Sequence, residues 1–179
     1  DGTSYLASNL QTIGIFITGS PNNTIGGNSA GARNIISANE TYGVQITGAG
    51  ATGNLIKGNY IGIDKNGTTF IFGSSQDYGI HVNTSASSNT IGGDPALGEG
   101  NVISGNSDRG VWLTGSSATT IRGNIIGPQA NGTSYVASNV QGYGIFIDGS
   151  ANNIVGGSGA TSRNTISGNA AYGIFLSAA

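Results

Sequence analysis

Only one side chain in the sequence has an ordinary pKa near neutrality, and it is the candidate general base. His81 lies in the segment GIHV, and Asp77 is the nearest acidic residue along the chain. A histidine base needs a carboxylate to orient it and a partner acid within hydrogen-bond distance. The alternation in GIHV places His81 on the outward side of a strand, so we expect it to face solvent.

The acidic residues are too scattered to predict a catalytic pair. Enzymes that cleave glycosidic bonds with two carboxylates need them at a fixed separation. Asp94, Glu99 and Asp108 could gather with Arg109, but we interpret them as solvated loop residues. We predict no catalytic residue and no enzyme activity. The acidic residues do not share one position in the repeat described below; they are Asp1, Glu40, Asp64, Asp77, Asp94, Glu99, Asp108 and Asp148.

Metal-binding patterns are also weak. The sequence has no cysteine, which excludes a thiolate site, and it has no zinc-ligand spacing. The segment from Asp64 to Thr68 resembles a calcium loop, but the matching segment one repeat later has Gln129 in place of Asp64. One carboxylate cannot supply the roughly six to eight oxygen ligands of calcium. We therefore predict an Asn-Gly turn there, and neither a metal nor a cofactor.

Aromatic residues give the strongest candidate for a binding surface. They recur on the outward side of one predicted strand and just before its glycine, where core packing does not require them. We call this surface the aromatic face and predict that it is exposed and contacts a partner. Its candidate binding residues are Phe16, Tyr42, Tyr78, His81, Trp112, Tyr143, Phe146, Tyr172 and Phe175, with Gln45 and Arg109 in matching positions.

Two partners suit the aromatic face: a sugar ring, or another protein chain. We favour the protein chain, because we expect no acids or amides beside the rings that would suit tight sugar recognition. A third interpretation is that the loops at 1–13, 66–78 and 131–143 fold over the face.

A 65-residue repeat provides the elements that must position these side chains. The segment DGTSYLASNLQTIGIFI returns as NGTTFIFGSSQDYGIHV and as NGTSYVASNVQGYGIFI, with starts at Asp1, Asn66 and Asn131. The chain is therefore predicted to be one module of repeats 1–65, 66–130 and a partial 131–179. Each repeat contains two cycles of three short apolar strands separated by glycine corners.

Three strands per cycle predict an all-β fold: a right-handed parallel β-helix with three sides, about five to six coils and two coils per repeat. Inward isoleucines, valines and leucines should form columns between coils about 4.8 Å apart. Glycines should supply unusual backbone angles at one corner, namely Gly27, Gly58, Gly93, Gly123 and Gly157. Asparagines before the third strand should form a hydrogen-bonded ladder, namely Asn34, Asn59, Asn101, Asn124 and Asn164.

The GIxI, NTIGG and NxISGN segments resemble the right-handed parallel β-helix repeats of the pectin-lyase-like superfamily. They are most similar to Asn/Gly-rich arrays of bacterial surface and secreted proteins, including adhesins. The resemblance covers essentially the whole chain and implies the fold, but this fold hosts lyases, hydrolases, tailspikes, adhesins and stalks. The adjacent aspartates, Gly-His-Gly and Arg-x-Lys segments of polygalacturonase-like enzymes do not occur in this sequence.

Composition limits the partners. Only six residues are lysine or arginine and the isoelectric point is near 5.0, which argues against a nucleic-acid binder. No apolar run approaches the roughly 18 residues of a membrane span. We expect an extracellular or cell-surface location.

The expected function is a structural or adhesive β-solenoid, part of a surface array or filament. Both ends of the sequence fall inside the repeat, so we expect neighbouring repeats or self-association, end to end and through the aromatic face. The alternative is a carbohydrate-binding or polysaccharide-degrading β-helix.

Overall fold

The computed structural model describes residues 11–71, 76–136 and 140–178 of the chain. Asp1 and parts of the loops proposed to cover the aromatic face therefore lie outside the described residues. The described residues form sixteen short β-strands and three single-turn 3-10 helices. The helices are Ala30–Ala32, Pro95–Leu97 and Ala160–Ser162. None of the described helices has the length or apolar character needed to cross a membrane.

The first sheet contains the six longest strands, each six residues long and parallel to its neighbours. Neighbouring strands in this sheet are three elements apart in sequence, so three strands complete one coil. Its order is β1 (Ile13–Thr18), β4 (Tyr42–Thr47), β7 (Tyr78–Asn83), β10 (Arg109–Thr114), β13 (Tyr143–Asp148) and β16 (Tyr172–Ser177).

Two narrower parallel sheets form the other sides of the helix, with five strands each. The second contains β2 (Thr24–Gly26), β5 (Leu55–Lys57), β8 (Thr90–Gly92), β11 (Thr120–Arg122) and β14 (Ile154–Val155). The third contains β3 (Ile35–Ile36), β6 (Tyr60–Ile61), β9 (Val102–Ile103), β12 (Ile125–Ile126) and β15 (Thr165–Ile166). The predicted three-sided parallel β-helix is confirmed.

Columns of aliphatic side chains fill the interior, as the alternation predicted. In the central coils the inward residues of all three sheets are fully buried, for example Ile80, Ile91 and Ile103. The last strand of the first sheet differs, because no coil covers its far side: Ile174 is 42% exposed and Leu176 is 71% exposed. Stacking of one coil on the next is therefore what buries each apolar column.

The glycine at the second position of a first-sheet strand is required by close packing wherever another coil follows. A Cβ on Gly79 would lie 2.4 Å from the carbonyl oxygen of Gly110 in the next coil. The prediction for the corner glycines is only partly right. Gly58 and Gly123 do have positive φ, but Gly27, Gly93 and Gly157 do not. In their coils the preceding glycine takes the left-handed conformation, namely Gly26, Gly92 and Gly156.

The asparagine ladder before the third sheet is confirmed. Each side-chain amide nitrogen donates to the Oδ1 of the asparagine in the next coil, from Asn34 to Asn164, at 2.9–3.2 Å. Each Oδ1 also accepts from the backbone N–H of the preceding asparagine. These bonds satisfy polar groups that the corner would otherwise leave buried and unpaired.

A second ladder, before the second sheet, is interrupted. Asn23 donates to Asn54 and Asn54 donates to Asn89, at 2.9 and 3.0 Å. The next coil has Thr119, which is fully buried and whose hydroxyl has no partner. Beyond the break, the side-chain nitrogen of Asn153 is also unpaired.

A third ladder precedes the first sheet and was not predicted. Its members alternate between glutamine and asparagine, because each 65-residue repeat supplies two coils with different corners. Each amide nitrogen donates to the side-chain oxygen one coil on, along Gln11, Asn39, Gln76, Asn106, Gln141 and Asn169. The repeat alignment already contained the signal, since Gln11, Gln76 and Gln141 occupy one column.

Candidate functional site

The first sheet aligns the aromatic face in two columns on its outer side. One column contains His81, Trp112 and Phe146. They lie side by side because His81 pairs with Trp112, and Trp112 pairs with Phe146 on the next strand. The other runs through Tyr42, Tyr78, Arg109, Tyr143 and Tyr172. Strand pairing places all nine candidate residues in these two columns, while their binding role stays a prediction.

The rings stack on one another along the helix axis. Tyr42 and Tyr78 stack with centroids 5.2 Å apart, and His81 and Trp112 stack at 4.1 Å with planes 10° apart. In later coils Tyr143 and Tyr172 stack at 5.7 Å. Other contacts are not face to face: Tyr143 meets Phe146 and Phe175 edge to face, at 5.1 and 5.8 Å. Only the end residues are well exposed, with Phe16 at 54% and Tyr172 at 51%.

His81 does not face solvent, so that expectation was wrong. His81 is only 4% exposed, because its ring lies between the ring of Tyr42, with centroids 5.3 Å apart, and the ring of Trp112. Burial, and secondarily the positive charge of Arg109, lower the pKa of His81 to about 4. The side-chain nitrogen of Asn83 lies 3.3 Å from Nδ1 of His81. If Asn83 donates to Nδ1, the neutral imidazole carries its proton on Nε2.

Arg109 joins the two groups of stacked rings. Its guanidinium carbon lies 4.5 Å from the centroid of Trp112 and 4.6 Å from that of Phe146. It also lies within 6 Å of the Tyr78 and Tyr143 rings, at 5.3 and 5.6 Å. Such contacts attract a cation to a ring face. The charge of Arg109 is balanced by Asp108, at 2.7 Å.

Unpaired buried polar atoms are concentrated on the strand that carries this arginine, β10, and on its neighbour β7. Among the described residues, six buried side-chain nitrogens or oxygens have no hydrogen-bond partner, and four of them lie on β7 and β10. Those four are His81 Nε2, Arg109 Nε, Trp112 Nε1 and Thr114 Oγ1. Leaving such a group without a partner costs about 1–3 kcal/mol, so this clustering on one side of the fold marks a candidate site.

Polar groups suited to sugar recognition do lie beside the aromatic face, contrary to expectation. Asp108 pairs with Arg109 and its side chain is 37% exposed. Asp77 accepts a hydrogen bond from Ser107 at 2.7 Å, immediately before β7. Asn83 ends the same strand. The sequence placed these acids on separate loops, and only the pairing of β7 with β10 brings them to one edge of the face.

Other acidic residues have local structural partners. Asp64 begins the predicted turn and accepts from the backbone N–H groups of Thr68 and Thr69, at 2.8 and 3.1 Å. Burial opposes ionisation of Asp64, but these hydrogen bonds outweigh it and lower its pKa. A hydrogen bond from Lys57 at 2.7 Å likewise lowers the pKa of Glu99. The backbone N–H of Asp94 donates to Glu99 at 3.1 Å, whereas Asp108 pairs with Arg109, so the three acids do not gather at one site.

The donor set for a metal is small. The whole chain contains one histidine, no cysteine and no methionine. Within residues 11–71, 76–136 and 140–178, no three His, Asp or Glu side chains lie close enough together to hold an ion. His81 is enclosed by Tyr42 and Trp112 rather than by other ligands.

Comparison with known families gives one match. Residues 63–179 match the model of the family described as "Periplasmic copper-binding protein (NosD)". Searches of curated proteins and of solved structures find no significant match. The matched region includes β7 to β16 and therefore the central part of the aromatic face. Because the match covers more than half of the chain, this β-helix belongs to the family described as periplasmic copper-binding protein (NosD).

Proposed function

We propose that this chain is a structural β-helix that works outside the cytoplasm and contacts another protein chain through the aromatic face. The observation that carries the proposal is the stacking of outward rings over successive coils in two groups, with Arg109 between them. Stacked rings stiffen the sheet and leave an extended apolar edge, which is suited to lateral contact. The description of the family as periplasmic supports a compartment outside the cytoplasm.

The proposal includes no catalytic residue. Asp64 and Glu99 are held by local hydrogen bonds that favour their ionised forms. His81, the one candidate base, is enclosed between rings and remains neutral far below pH 7. A general base must reach its substrate's proton directly or through one water, and this histidine is almost fully buried.

Copper binding, which the family description names, does not fit the residues of this chain. Copper sites in proteins use thiolate and thioether ligands for Cu(I), and several imidazole or other nitrogen and oxygen ligands in a square-planar arrangement for Cu(II). This chain offers a single imidazole and neither of the sulfur ligands. If its Nδ1 accepts from Asn83, the remaining nitrogen of His81 is protonated. No copper-dependent role is therefore proposed for this β-helix.

Protein contact suits the aromatic face better than sugar stacking. A sugar ring packs against the flat face of an aromatic side chain, and neighbouring coils cover ring faces of Tyr42, His81, Trp112 and Tyr143. On the aromatic face the most exposed residues are Phe16 and Tyr172. The proposal includes end-to-end contact between β-helices as well as lateral contact.

Sedimentation velocity over a range of protein concentrations, with electron microscopy, tests this role. We expect concentration-dependent association that the double variant Phe16→Ser/Tyr172→Ser weakens. The matched control is Leu97→Ser, which removes a residue of similar exposure, 59%, far from the face on the helix Pro95–Leu97. A wild-type protein that stays monomeric throughout, or a control variant that weakens association equally, would contradict the proposal.

The second candidate is a carbohydrate-binding or polysaccharide-degrading β-helix. The observation that favours it is the group of unpaired donors at His81, Arg109 and Trp112, beside Asp108. Incubation with polysaccharides, followed by assays for reducing ends and unsaturated sugars, tests cleavage. Products above those of a heat-treated control would overturn the non-catalytic role.

A further inference from the structure

An open cavity of about 200 Å³ lies on the outer side of the third sheet, which is a different side of the β-helix from the aromatic face. Its floor consists of outward residues of three neighbouring strands, Tyr60 of β6, Val102 of β9 and Ile125 of β12. Pro95 and Ala130 line it from the loops that follow β8 and β12. We call it the third-sheet cavity; its floor offers aromatic and aliphatic carbon to a ligand.

Arg33 is the one charged residue among those that line the third-sheet cavity. Its Nε donates to the carbonyl oxygen of Gly58 at 3.3 Å, and its guanidinium carbon lies 4.2 Å from the ring centroid of Tyr60. These two contacts hold the guanidinium beside the apolar floor. Among the described residues Arg33 forms no ion pair, and its two terminal nitrogens have no hydrogen-bond partner. Both nitrogens can therefore donate to an anion in the cavity.

We propose that the third-sheet cavity binds a small organic monocarboxylate with an apolar body, and that Arg33 recognises its carboxylate. The two terminal nitrogens of an arginine match the two oxygens of a carboxylate, so that a pair of charge-assisted hydrogen bonds forms. The apolar body of the ligand then packs on Tyr60, Val102 and Ile125 and leaves water. This inference goes beyond the proposed structural role, because it assigns a ligand to a different sheet.

The size of the cavity and the surrounding charges restrict the ligand. A volume of about 200 Å³ is smaller than the roughly 300–1,000 Å³ of sites for drug-sized ligands, so the cavity suits one ring or one branched chain. Nearby, Lys57 and Glu99 form an ion pair at 2.7 Å and balance each other. One guanidinium thus remains for one carboxylate, and a second negative charge on the ligand would lie unpaired beside the apolar floor.

Benzoate is the probe, since it combines one carboxylate with one aromatic ring. Each of two control compounds lacks one part: benzamide has the ring without the charge, and acetate has the charge without the ring. The methyl resonances of Val102 and Ile125 in a proton–carbon NMR spectrum report on the cavity floor. We expect benzoate to move these resonances saturably, and each control compound to bind about tenfold more weakly or less. The indole resonance of Trp112, on the first sheet, should not move with them.

Three variants locate the effect. Arg33→Gln should weaken benzoate binding about tenfold or more and remove the preference for benzoate over benzamide. The matched control is Arg163→Gln, because Arg163 also follows a 3-10 helix and has the same backbone angles, φ −70° and ψ 128°. Arg163 does not line the third-sheet cavity, so this variant should bind as the wild type does. Ala130→Leu leaves Arg33 in place but fills part of the cavity, and it should also weaken binding.

Four results would overturn the assignment. They are no saturable movement of the Val102 and Ile125 resonances with benzoate, benzamide binding as tight as that of benzoate, equal loss of affinity in Arg33→Gln and Arg163→Gln, and unchanged affinity in Ala130→Leu. Circular dichroism checks that each variant is folded. None of these readouts depends on association through the aromatic face, so failure here is distinguishable from failure of the proposed protein contact.

Discussion

Mild acid should destabilise this β-helix mainly through His81. The perturbation is a fall in pH from about 7 to about 4.5, a range in which an exposed histidine becomes charged. In the folded protein, burial and Arg109 lower the pKa of His81 from 6.5 to about 4. The unfolded chain therefore binds more protons than the folded one between these values, and the free energy of unfolding decreases as the pH falls.

The magnitude follows from the two pKa values. Each pKa unit corresponds to about 1.4 kcal/mol, so the full difference is worth about 3 kcal/mol below pH 4. At about pH 4.5 the expected loss is about 2.5 kcal/mol. His81 is only 4% exposed, which limits solvent screening of this effect. The contribution is fully present above pH 6.5 and is lost as the pH falls toward 4.

Urea unfolding followed by circular dichroism at several pH values measures this loss. The control is His81→Phe, which keeps a ring in the stack, as Phe146 and Phe175 do at the same position, but cannot titrate. Asp64 does not interfere, because its pKa is lowered below 3.8 and its contribution is lost only in stronger acid. Equal loss of stability in wild type and variant between about pH 7 and 4.5 would refute the reasoning.

Three further predictions concern the ladders, the coil spacing and copper. Thr119→Asn should raise the free energy of unfolding, measured in urea titrations, by about 1–3 kcal/mol, because an asparagine there would connect Asn89 to Asn153 by hydrogen bonds. An unchanged or lower free energy of unfolding would contradict the ladder argument. Gly79→Ala should lower the free energy of unfolding by about 2 kcal/mol or more, because the added Cβ meets a backbone oxygen at 2.4 Å. The control Gly31→Ala, with open space around the added Cβ, should change the free energy of unfolding by less than about 0.5 kcal/mol. Protein mixed with copper and then dialysed should retain no stoichiometric copper by mass spectrometry of metals; one retained copper per chain would show that the donor argument is wrong.

The architecture was readable from the sequence because the fold is repetitive. Residues such as Tyr78 and Tyr143 recur 65 residues apart, and both pair with Arg109 in the coil between them. Because the same short pattern returns on every coil, the position of one inward isoleucine predicts the position of the next. The asparagine ladder that begins at Asn34 is predicted in the same way. Local periodicity is sufficient to predict this architecture, since each coil contacts only its neighbours.

The environment of the candidate site depends on contacts between coils that sequence spacing does not describe. Alternation correctly placed His81 on the outer side of the sheet, but the Tyr42 and Trp112 rings of adjacent coils bury it and lower its pKa. Whether an outward side chain meets water depends on the size and direction of side chains above and below it. Asp77 and Asp108 also reach one edge of the aromatic face only because β7 pairs with β10. One-dimensional repetition thus specifies the backbone, while burial, charge and unpaired donors arise from three-dimensional packing around it.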